Sequence, residues 1–272
     1  MIKPRCQTLR RQGYSIGEIA KRLRISESTV HWHVKDIPLT VAQRERLYWK
    51  WRSIMARVNA KRRGHSIRPI AFHTPGWSKD LVHLVAHLSF DGRVDRYGCS
   101  YYSRTYGQVV HVKRLLQQLL GVTPRTALRS NGIWVLSYYN VEVASWLSQK
   151  ERQLLVAIRS RPQWQRQWLQ AFFDDEGHIH VGNGVRRVRA SQDDLRILLA
   201  AKRFLKTLEI TSRIDQQAQA IEITGRENLT HFMDGISFAP GIRINAHRKN
   251  GLWAQNLEKR TLLTRALNSY RH

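Results

Sequence analysis

Two stretches of the chain repeat one local design. LVHLVAHLSFDG, ending at Asp91-Gly92, and WLQAFFDDEGHI, with Glu176-Gly177, are each an apolar run closed by an acid and a glycine. An apolar helical run that meets Gly in this way reads as a helix C-terminus. The sequence after each acid repeats as well. RVDRYGCSYYSRTY is strand-like, VVHVKRLLQQLLGV is helical, PRTAL and IWVLSY flank a turn at Asn131-Gly132, and NVEVASWL is helical again. In the second copy, HIHV and VRRVRA flank Gly182 to Gly184, DDLRILLAAKRFLKTLEI is helical, SRIDQ and AIEIT form a second hairpin, and ENLTHFMDGI closes as a helix. The acids are 85 positions apart, while Leu120 and Leu208, Ile133 and Ile221, and Asn140 and Asn228 are each 88 apart. So constant an offset across several elements marks an internal duplication. Each copy therefore reads as helix, β-hairpin, helix, β-hairpin, helix. This is an α+β unit whose four-stranded antiparallel sheet must be covered by helices on one face and is free on the other.

Ahead of the repeat, residues 5–35 read as three short helices, the second opening at Ser15 and the third at Ser26, both good N-caps. In SIGEIAKRLRISESTVHWHV, Ile19, Leu23 and Val30 seal two helices together and Ala20 lets them cross closely. That is helix-turn-helix spacing, with Arg24 at the turn where Gly is common and His33 where an aliphatic residue is usual. Residues 1–40 resemble the helix-turn-helix of resolvase-like and sigma-factor-like DNA-binding domains. The resemblance puts Ser26, Glu27, Ser28, Thr29, His31, Trp32 and Lys35 on or near a groove-facing side, with Arg10, Arg11, Lys21, Arg22 and Arg24 as phosphate ligands. Residues 41–77 are expected to be a basic helix from Val41 to Arg63, with Leu47, Trp51, Ile54 and Val58 on a packing face, followed by a Gly- and Pro-containing linker.

Charge then narrows the partner. With 46 Lys+Arg against 20 Asp+Glu, the formal net charge of +26 calls for a polyanion. Double-stranded DNA, RNA and anionic lipid are all polyanionic, but the charge runs through the whole chain instead of one amphipathic helix, which disfavours a membrane. No run approaches roughly 18 consecutive apolar residues, and MIKPRCQTLRRQGYS lacks the apolar core of a signal peptide. Two cysteines, Cys6 and Cys99, exclude a disulfide framework or a Cys-rich zinc module and fit a reducing compartment. A soluble protein of the cytoplasm or nucleoid is expected. The free sheet faces are expected to supply base readers: Arg96, Tyr102, Arg104, Arg125 and Arg129 in the first copy, and His178, His180, Arg186, Arg187, Arg189 and Arg213 in the second.

The repeated motif itself resembles that of the LAGLIDADG family. Its nine positions align with Leu84 to Gly92 (LVAHLSFDG) and with Leu169 to Gly177 (LQAFFDDEG), and the resemblance spans residues 78–260. It implies two pseudo-symmetric αββαββα halves in one chain, 78–160 and 161–260, with saddle-like antiparallel sheets and a tail at 261–272. It further implies that the two motif helices pack together, with Ala86 and Ala171 at the small-residue position. Asp91 and Glu176 would then hold Mg²⁺ (or Mn²⁺) over the scissile phosphates. A basic residue after each half's last helix is also implied: Lys150 in the first half, and Arg243 or Lys249 in the second. The activity implied is that of a homing endonuclease, a monomer cutting both strands of a long asymmetric DNA site. A non-cleaving DNA-binding regulator derived from the fold and an RNA-splicing maturase are the other readings. Three smaller signals accompany these. His83 and His87 have zinc-ligand spacing but lack the metalloprotease Glu, and are expected as packing or capping residues. His178 and His180 should share one strand face. Of Asp174 and Asp175, one is expected in helix packing and the other in solvent.

Overall fold

A computed structural model describes residues 2–66, 74–182, 184–244 and 255–271, and within α4 below it describes side chains as far as residue 58. The chain divides into two compact units, Met1–Ala71 and Phe72–His272.

The first unit holds α1 (Ile2–Arg11), α2 (Ile16–Leu23), α3 (Glu27–Val34) and α4 (Val41–Ser66). Ser15 starts α2 with a reciprocal capping box: its Oγ accepts from the Glu18 N–H at 3.2 Å, and its own N–H donates to Glu18 Oε2 at 2.9 Å. Ser26 starts α3 by accepting from the Thr29 N–H at 3.1 Å. Arg24 closes α2 in the left-handed region at φ 54°, doing a glycine's job at the turn. Cys6, Ile19, Ala20, Val30 and Val34 form the small core. The start of α4 is tied to this bundle through Gln43 to the Arg11 carbonyl (2.9 Å), Arg46 to the Gly13 carbonyl (3.0 Å) and a Lys50–Glu18 ion pair. Farther along, Trp51 and Ile54 are exposed, contrary to the packing expected of them. At 1.5 Å per residue, a helix of 26 residues is about 39 Å long and outruns so small a bundle.

The second unit contains the duplication. Its first half is α5 (Lys79–Phe90), β1 (Gly92–Val94), β2 (Gly98–Ser103), α6 (Tyr106–Leu120), β3 (Arg125–Leu128), β4 (Trp134–Tyr139) and α7 (Val141–Ile158). Its second half is α8 (Pro162–Glu176), β5 (Gly177–Gly182), β6 (Val185–Ser191), α9 (Leu195–Thr207), β7 (Arg213–Asp215), β8 (Ala220–Thr224) and α10 (Arg226–Gly235), followed by α11 (Lys259–Asn268). The two antiparallel sheets have the same order, β1-β2-β4-β3 and β5-β6-β8-β7, so in each the two hairpins join through their inner strands. Alternation fixes the faces. Cys99, Tyr101, Leu136, Ile179, Val188, Ile221 and Ile223 enter one continuous core with α5 and α8 at its centre.

Those two helices pack against each other with Ala86 and Ala171 fully buried, as small residues at a close crossing should be. The glycine after each motif acid is needed for space. A Cβ on Gly92 would lie 2.6 Å from the Leu88 carbonyl oxygen, and one on Gly177 would lie 2.2 Å from that of Phe173. Each strand therefore leaves directly over the last turn of its helix. The segment expected to be a tail is instead mostly α11, whose Leu262, Leu263 and Ala266 are buried; spacings of three and four place them on one helix face.

Candidate functional site

Asp91 is the C-cap of α5 and Glu176 the last residue of α8, so both carboxylates stand where helix dipoles are negative. Burial, then the charges of Asp175 and Glu176, push the Asp91 carboxyl up to about 7. Burial and Asp175 push Glu176 up to about 7 as well. Asp174, only 3% exposed, is also raised to about 7, chiefly by burial. Its Oδ1 accepts from the Ala239 N–H at 2.9 Å, while Oδ2 is buried with no hydrogen-bond partner. Asp91 and Glu176 are hard oxygen donors, and the charge of Glu176 opposes ionisation of Asp91, a chemistry that fits a small divalent cation such as Mg²⁺ or Mn²⁺. Asp91 and Glu176 are the residues that would hold it.

The helix crossing exchanges one side chain from each half. Phe90, before Asp91, enters the second half against Trp168 and Phe172, with ring centroids 5.5 and 5.2 Å away. Its equivalent, Asp175, enters the first half, where Oδ1 accepts from Tyr101 Oη (2.6 Å) and Gln108 Nε2 (3.3 Å), and Oδ2 accepts from His87 Nδ1 (2.8 Å). The Asp175 and His87 side chains are both buried, so neither Asp174 nor Asp175 is the solvent-facing acid the sequence suggested. The cause is that this helix end is covered from two sides: His87 of α5 with Tyr101 and Gln108 encloses Asp175, while the segment at Ala239 and Lys259 of α11 lies against Asp174. His87 Nε2 lies 3.1 Å from His83 Nε2, and His83 Nδ1 lies 3.4 Å from His111 Nε2. Burial opposes charge on His87, but Asp175, and beyond it Asp174 and Asp91, outweigh it and raise its pKa. Burial and the neighbouring imidazoles hold His83 well below the usual histidine range, and burial, His87 and Arg114 push His111 down to about 4.

The cation that opposes the rise at both Asp91 and Glu176 is Lys259, which the sequence reading missed. It is buried at the start of α11, and its Nζ donates to the carbonyls of Asp174 (2.7 Å) and Phe173 (3.2 Å) at the end of α8. The basic residues that the sequence offered for this role have other partners or fall outside the described residues. Lys150 sits over the rings of Trp77 (4.9 Å) and Trp146 (5.4 Å). Arg243 pairs across a bridge with Glu258 and donates to the Asn256 carbonyl at 3.4 Å. Lys249 lies outside the described residues. No local pattern marks Lys259, which stands at the first position of α11 just ahead of the segment expected to be a tail, and its burial is a product of long-range packing.

On the solvent side of the first sheet, register groups Arg93, Ser100, Tyr102, Ser137 and Arg125. Arg129 lies over the Tyr102 ring at 5.2 Å, Arg96 over Tyr97 at 4.5 Å, and Arg104 is exposed beyond the end of β2. In the second sheet His178 pairs with Arg189 and His180 with Arg187, and all four share one face, as alternation predicted for the histidines. Arg186 is a correction: it alternates to the opposite face, where it donates to Ser269 Oγ (2.5 Å) and the Ser269 carbonyl (2.8 Å) and lies 4.6 Å over Tyr270. Arg187, Arg189 and Arg213 converge on Glu222, at 2.9, 3.1 and 2.9 Å. Glu222 is 3% exposed; burial would raise its carboxyl, but the hydrogen bond from Arg213 and the three guanidinium charges hold it below the usual range. In the first unit Glu27, Ser28, Thr29, His31 and Trp32 are exposed on α3, Trp32 at 68%, Lys35 is exposed at its C-cap, and Ser26 Oγ is engaged by Ser28 and Thr29.

Residues 163–237 match the family model of the LAGLIDADG-like domain. No curated protein matches the chain. Among solved structures, the chain is similar to mesophilic variants of the homing endonuclease I-DmoI (14% identity over 58% of this chain and 88% of that one, TM-score 0.47). It is also similar to I-DmoI in complex with DNA and Ca (12%, 58% and 88%, TM-score 0.46). A third similarity is to the N-terminal LAGLIDADG domain of DUF199/WhiA (13%, 62% and 88%, TM-score 0.47). No helix among the described residues is long and apolar enough to cross a membrane.

Proposed function

With residues 163–237 matching the LAGLIDADG-like domain, we propose that the protein is a sequence-specific, divalent-metal-dependent DNA endonuclease that acts as a monomer on both strands of an asymmetric site. The observation that carries this reading is the pairing of Asp91 and Glu176 at the ends of two crossing helices, within an acid cluster whose charge Lys259 only partly offsets. A divalent cation there would supply charge stabilisation on the attacking and leaving oxygens of a phosphodiester. The chain's own residues do the rest. Asp91 and Glu176 hold the cation, Lys259 limits carboxylate repulsion, and the basic faces of the two sheets orient the duplex. The three-helix unit adds contacts through α3 in the manner of a helix-turn-helix.

A second reading, a non-cleaving DNA-binding regulator, draws support from Lys259: a built-in cation together with carboxyls that hold protons to about 7 can keep the cluster stable without metal. In vitro cleavage of a randomised duplex library with and without Mg²⁺ separates the two. Mg²⁺-dependent cutting that is lost in Asp91→Asn and Glu176→Gln, with binding retained, is the expected result. Sequence-selective binding without cutting overturns the nuclease reading and leaves the regulator.

A further inference from the structure

We propose that His83, His87 and His111 form a site for a tetrahedral transition-metal ion, zinc above all, that ties α5 to α6 beside the acid cluster. This goes beyond the nuclease reading and does not depend on it.

His83 and His87 lie one turn apart on α5, and His111 comes across from α6. One ring nitrogen from each lies within 4.8 Å of the other two. Zinc–nitrogen bonds of 2.0–2.1 Å in tetrahedral geometry need ligand nitrogens about 3.3–3.4 Å apart. The Nε2 atoms of His83 and His87 already lie at 3.1 Å, and the half-buried His111 brings its Nε2 to 3.4 Å from the other ring nitrogen of His83, so the rings must turn slightly to face one ion.

The outer shell also fits. A ligating histidine commonly donates its second ring N–H to a carboxylate, which fixes the tautomer and aims the other nitrogen at the metal. His87 Nδ1 donates to Asp175 in this way, and Asp175 is itself held by Tyr101 and Gln108. The half-buried His111 gives a path to solvent, with water as the fourth ligand and Asp80 close enough to act on His111 electrostatically. Imidazole donors select zinc, copper, iron or nickel, whereas carboxylate donors select magnesium or manganese. The two sites are therefore chemically distinct although Asp175 adjoins both.

The test uses the full chain stripped of metal and then held in excess Mg²⁺. Co²⁺ is titrated by its visible absorption and Zn²⁺ by displacement of Co²⁺, in the parent, in His111→Gln and in the double variant Asp91→Asn/Glu176→Gln. Circular dichroism checks the fold of each. One equivalent of Co²⁺ with strong tetrahedral bands is expected in the parent and in the carboxylate variant. His111→Gln should bind at least ~10- to 100-fold more weakly, the loss that removing even an outer-shell partner causes. The proposal is overturned if the parent gives no tetrahedral Co²⁺ signal, if His111→Gln binds as the parent does, or if binding is lost only in the carboxylate variant.

Discussion

Replacing Asp91 by Asn in the metal-free protein should stabilise it, increasingly so as the pH rises. In the folded chain the Asp91 carboxyl is held up to about 7 by burial and by the neighbouring charges of Asp175 and Glu176. In an unfolded chain it titrates near its ordinary value of about 3.9. The folded state thus binds the extra proton between those values. Stability from this group is full below about pH 4 and is lost as the pH rises through about 7. A difference of about 3 units at 1.36 kcal/mol each makes ionised Asp91 cost about 4 kcal/mol at pH 8 and about 1.5 at pH 5. If Glu176 takes up a proton in its place, the figure at pH 8 falls to about 2 kcal/mol. Asparagine keeps the shape and removes the charge. Its melting temperature without metal should exceed the parent's by about 4 to 16 °C at pH 8, taking about 2–4 °C per kcal/mol for a chain of this size. The gain should shrink toward pH 5. Added Mg²⁺ should reverse the order, since it binds more tightly to the parent with two charged ligands than to the variant that keeps only Glu176. Differential scanning calorimetry from pH 4 to 8, with EDTA or Mg²⁺, measures both effects. Equal melting temperatures at pH 8 without metal, with parallel pH slopes, would refute the charge cluster.

Glu222→Gln should cost about 1–3 kcal/mol, because Arg187 and Arg189 donate to one carboxylate oxygen and Arg213 to the other, and the amide keeps only one acceptor oxygen and no charge to answer the three guanidinium groups. It should also tighten nonspecific duplex binding, so a melt and a low-salt filter-binding assay that both leave it unchanged would contradict the cluster. Gly177→Ala should destabilise by about 1–3 kcal/mol, since its Cβ would meet the Phe173 carbonyl at 2.2 Å. Gly107→Ala in α6, which meets only Thr105 Cγ2 at 4.0 Å, serves as the neutral or slightly stabilising control in the same urea titration. Duplex affinity should fall roughly 10³- to 10⁵-fold between 50 and 200 mM salt as some 6 to 10 phosphates release counterions, and a flat response in fluorescence anisotropy would rule out an extended contact.

The fold was legible because the duplication carries its own control. A helix end, two hairpins and their connecting helices recur at nearly one offset, so errors in one copy are corrected by the other. Asp91 and Glu176 were legible for the same reason, each fixed by the glycine that follows it. Contacts made across long separations were not. Glu222 reaches arginines on β6 that are 33 and 35 positions away, and nothing local to RRVR says which of its side chains turn inward. Arg186 shows the cost of an unknown strand register, since a shift of one residue exchanges faces. The histidine pair on α5 was visible as a pair, but its third member lies 28 residues beyond His83, on another helix. Lys259 was hidden because α11 has no counterpart in the first half, so the duplication offered no guide to it.

The reach of that lysine has a consequence in time. Lys259 meets the Asp174 carbonyl from 85 residues farther along the chain. At about 5–20 residues per second, synthesis places it some 4 to 17 seconds after the α8 acids have been made. During that interval the nascent chain can form its first unit and both motif helices, but the carboxylates lack their buried counter-charge. Assembly of the acid cluster is then favoured late, or by protons or a divalent ion standing in for the lysine. The order in which the ribosome delivers residues thus separates the appearance of the basic surfaces from the completion of the acid centre.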